Sequence, residues 1–203
     1  MRSNALSVVA IGWAVCLTAA TSRAQGVTSR SSGWFVGLGV EGEVIGTDQG
    51  NGTTKTESGG GGALVVGYGF TPRWSIYSQL SSAVIQADSG KYALLHYDAG
   101  ARVHFRSGPN AVVPFVQFGI SGRRKAQTVQ AATGTYDVSA SGFGGVLGAG
   151  LNAHFNPKLA FSTSVTISVG SFNTFMVDHQ KVNLSALNAT STRLHVGLIW
   201  FPR

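Results

Sequence analysis

One polar segment near the C-terminus contains the residue types of a nucleophilic catalyst. Asp178, His179 and Ser185 lie close together in the chain and are the acid, base and nucleophile types that acyl transfer uses. Neighbouring side chains on an extended segment point in opposite directions, so Asp178 is badly placed to orient His179. We therefore predict a polar surface loop here, and no catalytic residue.

Two further patterns contain residue types that bind ions. His96, Asp98 and His104 could ligate a metal, but their spacing matches no metal-binding motif. The run Gly59–Gly62 is not followed by the lysine of a P-loop, which excludes that kind of phosphate site. We predict a flexible loop at this run that joins the second strand. No metal and no cofactor are predicted.

The N-terminus predicts export. Arg2 precedes an apolar stretch over residues 6–20, and small residues then lead to a cleavage site between Ala24 and Gln25. The apolar stretch is shorter than the roughly 20 residues of a membrane-spanning helix. The predicted domains are therefore a signal peptide, 1–24, and one domain over 25–203. The only cysteine, Cys16, lies in the signal peptide, so the mature chain has no disulfide or thiolate chemistry.

The composition excludes several classes of protein. Charged residues make up 11% of the 203 residues, too few for a disordered chain, and the 28 glycines exclude a long coiled coil. The formal charge of +7 comes from scattered lysines and arginines, whose densest run is Arg123-Arg124-Lys125. A diffuse excess of this kind does not indicate a nucleic-acid partner.

Alternation with a period of two dominates the mature chain. From Ala93 to Phe105 the odd positions are apolar or aromatic, while the even positions from His96 onward are polar, charged or glycine. Such a strand is long enough to cross a bilayer, which takes about 9–11 tilted residues. Seven other segments repeat the pattern, near Trp34, Leu64, Trp74, Val112, Phe143, Leu159 and Leu194. The sequence thus predicts eight long strands.

The connections between these strands alternate in length. Residues 71–73, 107–110 and 156–157 are short and contain turn residues. The connections on the other side, about 46–60, 87–90, 126–136 and 171–187, are mostly long and polar. Short turns on one side and long loops on the other are typical of a bacterial outer-membrane barrel, whose short turns face the periplasm.

The aromatic residues indicate which face meets lipid. A soluble, lipocalin-like barrel would bury its apolar face and spread its core aromatics through the depth of the barrel. Here six aromatics share the apolar face and lie at the strand ends beside the short turns, as in a membrane-interface girdle. They are Trp34, Phe70, Trp74, Phe105, Phe155 and Trp200. We therefore predict that the apolar face contacts lipid.

The opposite face then points into a narrow interior and collects the polar side chains. These are Glu41, Glu43, Gln79, His96, Asp98, Arg102, His104, Arg106, Gln117, Arg123, Arg193 and His195. Eight strands leave no room for a channel, and buried charges must be paired to offset their desolvation. We predict that the set forms a polar plug, in which Asp98 and Arg102 offset each other.

Two sequence motifs resemble a known family. The stretch Gly67–Trp74 across the first short turn, and the pattern His195-x-Gly197-x-x-Trp200 near the end, are similar to the small eight-stranded outer-membrane barrels. These comprise the transmembrane domain of outer membrane protein A, outer membrane protein X, and the opacity and Ail-type proteins. The resemblance covers about 33–201, although Pro202 stands where that family usually has a final aromatic.

The resemblance implies an all-β, transmembrane, eight-stranded antiparallel up-and-down β-barrel in a Gram-negative outer membrane. It also implies insertion by the barrel-assembly machinery, a monomeric state, and outer-membrane lipids and lipopolysaccharide as neighbours. We expect a non-enzymatic protein with a structural or surface-interaction role, whose long loops could bind host or other surface ligands. Adhesion, passage of small apolar compounds and lipid A modification are the alternatives. Residues 123–125 are either a lipopolysaccharide contact or a solvated loop base.

Overall fold

A computed structural model describes residues 31–48, 53–87, 90–105, 111–131, 134–178 and 180–202. The predicted signal peptide, with Ala24 and Gln25 at its cleavage site, lies outside these residues. They form nine strands: β1 (Gly33–Asp48), β2 (Thr54–Gly69), β3 (Trp74–Ala87), β4 (Gly90–His104), β5 (Val112–Ala131), β6 (Gly134–Asn156), β7 (Leu159–Val177), β8 (Gln180–Val182) and β9 (Leu187–Trp200). Within the described ranges, no helix has the length and hydropathy needed to cross a membrane.

Eight of these strands close into a barrel. Strands β1 to β7 pair antiparallel in chain order, and β9 pairs antiparallel with both β7 and β1. Gly39 lies opposite Gly197 at the closing seam, so the sheet continues from the last strand to the first. The short strand β8 pairs only with the end of β7. The predicted eight-stranded antiparallel up-and-down barrel is confirmed.

The alternation of side chains gives the barrel an apolar outer surface. The six girdle aromatics, at the end with the short turns, are between 49% and 63% exposed on this surface. From Trp34 to Val44 and from Trp74 to Val84, outward positions span ten residues, the length that crosses a bilayer. We call this surface the apolar band. Its outermost row is Val44, Val84, Ile120, Phe143, Val169 and Leu194, each at least 38% exposed.

The strands continue beyond the apolar band, which differs from the predicted long loops. Strand β1 pairs with β2 as far as Asp48 and Thr54, and β5 pairs with β6 as far as Ala131 and Gly134. Most of the polar segments predicted as loops are therefore hairpin arms. Their backbone groups can pair with each other above the membrane, where no alternation of apolar residues is needed.

The flexible loop predicted at Gly59–Gly62 is wrong, because these residues lie within β2. They pair with Val40–Glu43 of β1 on one side and with Ser82–Ile85 of β3 on the other. At Gly59 and Gly61 a Cβ atom would collide with the backbone of β3. The glycines thus allow close approach of two strands at the level where Glu41 and Glu43 fill the interior.

Two of the three predicted short turns are held by side chains of their turn residues, while the third, at 107–110, lies outside the described residues. Thr71 Oγ1 accepts hydrogen bonds from the backbone N–H groups of Arg73 and Trp74, at 3.2 and 3.0 Å. Asn156 Oδ1 accepts from the N–H groups of Lys158 and Leu159, at 2.8 and 3.0 Å. These bonds satisfy backbone donors that the ladder leaves free and keep the turns tight.

Candidate functional site

The interior of the barrel is the candidate site, because it holds most of the predicted polar residues. Eleven of the twelve, all except Arg106, lie in the described part of the chain, and each of the eleven is at most 6% exposed. Arg106 lies outside the described residues. Going from the short-turn end outward, an apolar layer, a charged layer and a second apolar layer follow one another.

The first apolar layer closes the end with the short turns. It is made of Phe35, Val65, Tyr77, Ala160, Ile199 and Phe201, each at most 6% exposed. Phe201 follows the last strand and turns inward, and its ring lies 5.9 Å from that of Phe35 and 5.3 Å from that of His154. At the end of β9 one aromatic, Trp200, thus points outward and the next, Phe201, points inward.

Arg102 lies beside this layer and is held by aromatic rings. Its guanidinium carbon is 4.2 Å from the ring centre of Phe115, 5.2 Å from that of Tyr77 and 5.7 Å from that of Phe35. It donates two hydrogen bonds to Gln117 Oε1, at 2.8 and 3.2 Å. The predicted balance between Asp98 and Arg102 is therefore wrong. Cation–π contacts and an amide stabilise this arginine instead.

Arg193 is the centre of the charged layer. Its Nη2 donates to Asp98 Oδ2 at 2.6 Å, and its Nη1 donates to Ser81 Oγ at 3.2 Å and lies 3.8 Å from Glu41 Oε1. Gln79 Nε2 donates to the other oxygen of Glu41 at 3.1 Å. One arginine thus connects residues from four strands: β1, β3, β4 and its own strand, β9.

Two further contacts complete the charged layer. His96 Nε2 and Glu43 Oε1 lie 2.7 Å apart, and both side chains are at most 1% exposed. Arg123 Nη1 donates to the carbonyl oxygen of Ala189 at 2.9 Å, and its guanidinium lies 5.9 Å from the ring of Phe172. Since these contacts run between strands that are not neighbours, they fill the lumen as well as neutralise it.

A second apolar layer covers the charged layer on its outer side. It contains Ile45, Ala83, Ile85, Tyr92, Leu94, Phe172 and Ala189, each at most 3% exposed. A β-bulge contributes to it: Ser141 of β6 pairs with Thr174 and the next residue, Gly142, pairs with Phe172, so Asn173 is left over. The extra residue lets Phe175 pack against the same layer as Phe172.

Above this layer lies a polar cluster at the outer mouth, beyond the apolar band. Tyr92 Oη donates to Glu57 Oε2 at 2.7 Å, and Lys55 Nζ lies 2.9 Å from Glu57 Oε1. Lys125 Nζ is 3.7 Å from the ring centre of Tyr92. Burial raises the pKa of the Glu57 carboxyl, but the hydrogen bonds from Tyr92 and Lys55 outweigh burial and bring that pKa below its usual value.

The three residues that were weighed and rejected as a metal site, His96, Asp98 and His104, each contact a different partner. His96 contacts Glu43, Asp98 contacts Arg193, and Nε2 of His104 lies 3.1 Å from Ser75 Oγ. Throughout the described residues, no three His, Cys, Asp or Glu side chains form a group that could hold a metal ion.

The residues of the acyl-transfer pattern are placed in different settings. Asp178 accepts a hydrogen bond at Oδ1 from the backbone N–H of Asp137, at 3.0 Å, and Ser185 is exposed. His179 lies outside the described residues. The Asp178 carboxylate thus ties the β6 arm to the end of β7.

The two apolar layers of the interior were not predicted from the sequence. The predicted inward set contained only polar residues, although Ile45, Ile85 and Leu94 alternate in step with polar inward residues of the same strands. Their signal was available: near the outer ends of β1, β3 and β4, inward positions change from polar to apolar. His154 and Asn152 on β6 were also left out of the predicted set, and both are buried.

Comparison with solved structures supports the barrel architecture. Neisserial surface protein A matches with a TM-score of 0.66 and 15% identity, over 83% of this chain and 97% of that one. OprG from Pseudomonas aeruginosa matches with a TM-score of 0.55 and 13% identity, over 86% and 98%. Ail, the attachment invasion locus protein of Yersinia pestis, matches with a TM-score of 0.52 and 13% identity, over 83% and 99%. At these identities the likeness concerns the fold.

A search of curated proteins gives no significant match. The model of the outer membrane protein β-barrel domain family matches residues 12–198, which is most of the chain. The closed barrel, its apolar band and its girdle of aromatics agree with that match. The chain therefore belongs to the outer membrane protein β-barrel domain family.

Proposed function

We propose that this protein is a closed outer-membrane barrel that conducts nothing through its interior and acts through its surface. The observation that carries the proposal is the contact between Arg193 and Asp98 in a charged layer covered by apolar residues on both sides. A pore for ions or polar solutes would need a continuous water-filled path, and here both ends of the charged layer are covered by buried apolar side chains.

The energetics favour the closed state. Separating Arg193 from its partners would leave the carboxylates of Asp98 and Glu41 without a cation in a narrow lumen. Breaking a buried ion pair costs about 3–5 kcal/mol when one charge remains unpaired. A barrel of eight strands has an interior just wide enough for side chains to fill. We therefore propose a plug that persists in the membrane.

The outer arms of the hairpins are the surface available for contact with other molecules. Strands β5 and β6 pair far beyond the outermost row of the apolar band, and the exposed ends of β7 and β8 lie beside them. This surface fits a role in contact with ligands at the cell surface, and a purely structural role in the membrane is equally compatible with a closed interior. Ail, one of the structurally similar barrels, is the attachment invasion locus protein of Yersinia pestis.

We further propose that the chain is not an enzyme. The Asp178 carboxylate is used in a backbone contact, and the polar side chains of the interior lie beneath an apolar layer that separates them from the outer solvent. Among the residues that the structure describes, neither setting brings a nucleophile, a base and an orienting acid to face one another. The chain would reach its membrane as a monomer through the barrel-assembly machinery.

A deletion strain tests the proposal. Cells without the gene should take up small polar and small apolar solutes at the same rate as the parent, and their lipid A should have the same composition. Cells that express a chain shortened in the β5–β6 arms should differ from the parent only in binding to surfaces or host cells. A solute uptake that depends on the gene would contradict a closed interior and favour transport.

A further inference from the structure

We propose that the outer wall of β5, β6 and β7 binds the phosphorylated headgroup of an outer-leaflet lipid, with Arg124 as its anchor. The inference rests on the placement of the barrel in an outer membrane, and does not depend on whether the interior conducts. It assigns a site on the lipid side of the protein, separate from the polar interior.

A hollow of about 310 Å³ lies on this wall. Three neighbouring strands form it, since Ser139 of β6 pairs with Ala126 of β5 and with Met176 of β7. Its lining combines a guanidinium, a carboxylate, hydroxyl groups and apolar groups, and includes Arg124, Thr128, Asp137, Ser139 and Met176. A lining of this kind fits a group that has both a charged substituent and apolar carbon.

The hollow begins where the apolar band ends. Ile120, Phe143 and Val169 form the outermost row of the band on these three strands, with 66%, 73% and 60% exposure. On β5 the next two outward positions are Gly122 and Arg124, so Arg124 is the first charged group above the hydrocarbon level. Lipid phosphates lie at this level, and arginine binds phosphate oxygens in a bidentate manner.

Arg124 is available for such a contact. Among the described residues it makes no ion pair, and its side chain is exposed. Its neighbours in the chain cannot help, because Arg123 is buried in the interior and Lys125 lies over Tyr92 on the inner side. The run of three basic residues thus provides one outward cation.

The one acidic group of the hollow lies at its far end. Asp137 pairs with Thr128, whose hydroxyl donates to Asp137 Oδ1 at 2.9 Å. Thr128 is four residues beyond Arg124 along β5, or about 13 Å at the usual rise of a strand. The Thr128 hydroxyl occupies one oxygen of Asp137, and among the described residues Asp137 forms no ion pair with Arg124.

A lipid fits better than free phosphate. An anion alone would gain one exposed arginine, whereas the acyl chains of a lipid also cover Phe143 below Arg124, and its headgroup fills the hollow beside Ser139 and Met176. Lipid covers the apolar band in any case. The headgroup of such a lipid is therefore already close to Arg124, and its binding there costs less entropy than the binding of a free anion. The chemistry that the two sources share is a phosphate group, and we commit to a lipid as its source.

Titration of the purified full-length barrel in detergent with bis-phosphorylated lipid A tests the site. We expect saturable binding that is weakened at least tenfold by Arg124→Glu and is partly kept by Arg124→Lys. Lys91→Glu is the matched control, because Lys91 is also an exposed cation above the apolar band, on β4, and this change should leave the affinity unaltered. Equal losses for both charge reversals would mean unspecific attraction and would overturn the site.

Two further binding experiments identify the ligand. Lipid A without phosphates should bind at least tenfold more weakly to the wild-type barrel, and millimolar inorganic phosphate should not compete. Ser139→Phe, which fills the hollow without changing charge, should weaken binding as Arg124→Glu does. Each variant is compared at equal β-content by circular dichroism. Unchanged binding by Ser139→Phe, or full competition by inorganic phosphate, would contradict the proposal.

Discussion

Arg193 and Asp98 face each other across the full width of the barrel, with 2.6 Å between Nη2 and Oδ2. Strand β9 carries the arginine and β4 the aspartate, and three strands separate them in either direction around the sheet. The pair therefore braces opposite walls. It also holds the Arg193 guanidinium where its Nη1 contacts Ser81 and lies close to Glu41.

We expect that removing one charge of this pair destabilises the folded barrel more than removing both charges. Arg193→Met leaves Asp98 unpaired and should destabilise the folded barrel by about 3–5 kcal/mol. The double variant Arg193→Met, Asp98→Leu should lose less than either single variant. Urea unfolding in lipid vesicles, followed by tryptophan fluorescence, measures the difference. As a control, the losses in free energy of unfolding caused by Asp98→Leu and by Arg102→Met should be additive in the double variant. Arg102 contacts Gln117 and aromatic rings and not Asp98. Coupling in that control would contradict the assigned partners.

The lipid face predicts a penalty for charge at Leu147. This residue is 63% exposed within the apolar band, so Leu147→Arg should destabilise the barrel by about 2–4 kcal/mol if it lies near the midplane. Gln86→Arg, which is exposed beyond Val84 at the outer edge of the band, should change stability little. The same unfolding assay compares the two variants. Equal effects would show that the apolar band does not mark the membrane.

The inner face predicts a different cost. Ser164 is 6% exposed and pairs with Gly150 and His195, so Ser164→Arg places a long cation in a filled interior. Overpacking and an unpaired charge should both reduce the folded fraction in vesicles, whereas Ser164→Ala should be nearly neutral. Efficient folding of Ser164→Arg would indicate a roomy lumen.

The outer mouth should lose stability in acid. The folded-state pKa of Glu57 lies below its usual value, so its contribution is present above the unfolded pKa of about 4.5 and is lost as the pH falls through the lower folded value. The effect should be at most about 1 kcal/mol, because Lys55 is partly exposed. Hydrogen exchange of the β2 and β4 arms between pH 6 and about pH 3 would detect it. Tyr92→Phe should reduce this pH dependence, and Glu57→Gln should abolish it.

The polar segment with Asp178 should be free of catalytic function. His179→Ala and Ser185→Ala should leave the lipid A of the host strain unchanged by mass spectrometry. The proposed closed interior and the observed backbone contact of Asp178 give the physical reason. A deacylated lipid A species that requires the wild-type gene and is lost in either variant would establish an enzyme instead.

The sequence was sufficient for the fold because membrane barrels must expose apolar side chains at every second position. Ala93–Phe105 shows this directly: Tyr97 is 55% exposed, and His96 and Asp98 are fully buried. The number of strands and the outward aromatics follow from the same period, and the short turns at Thr71 and Asn156 follow from their turn residues. The outer arms were missed because polar hairpins above the membrane need no alternation, and Gly59–Gly62 resembles a loop by composition.

The partners of the interior charges could not be predicted in the same way. Which side chains meet across the lumen depends on the stagger of all eight strands, and a pattern within one strand contains no information on stagger. Asp98 and Arg102 lie four residues apart on β4 and share a face, yet Asp98 meets Arg193 from the opposite wall. The bulge at Asn173 is likewise a property of the β6–β7 pairing.

Single-channel recording in planar bilayers tests the closed interior most directly. We propose that the Arg193 layer and the two apolar layers leave no path for ions, so the purified wild-type barrel should be electrically silent. Insertion is verified independently by protease protection of the reconstituted protein, so that silence reports a closed barrel. Steady, ohmic single-channel currents from the wild-type protein would contradict the account and make transport the function to pursue.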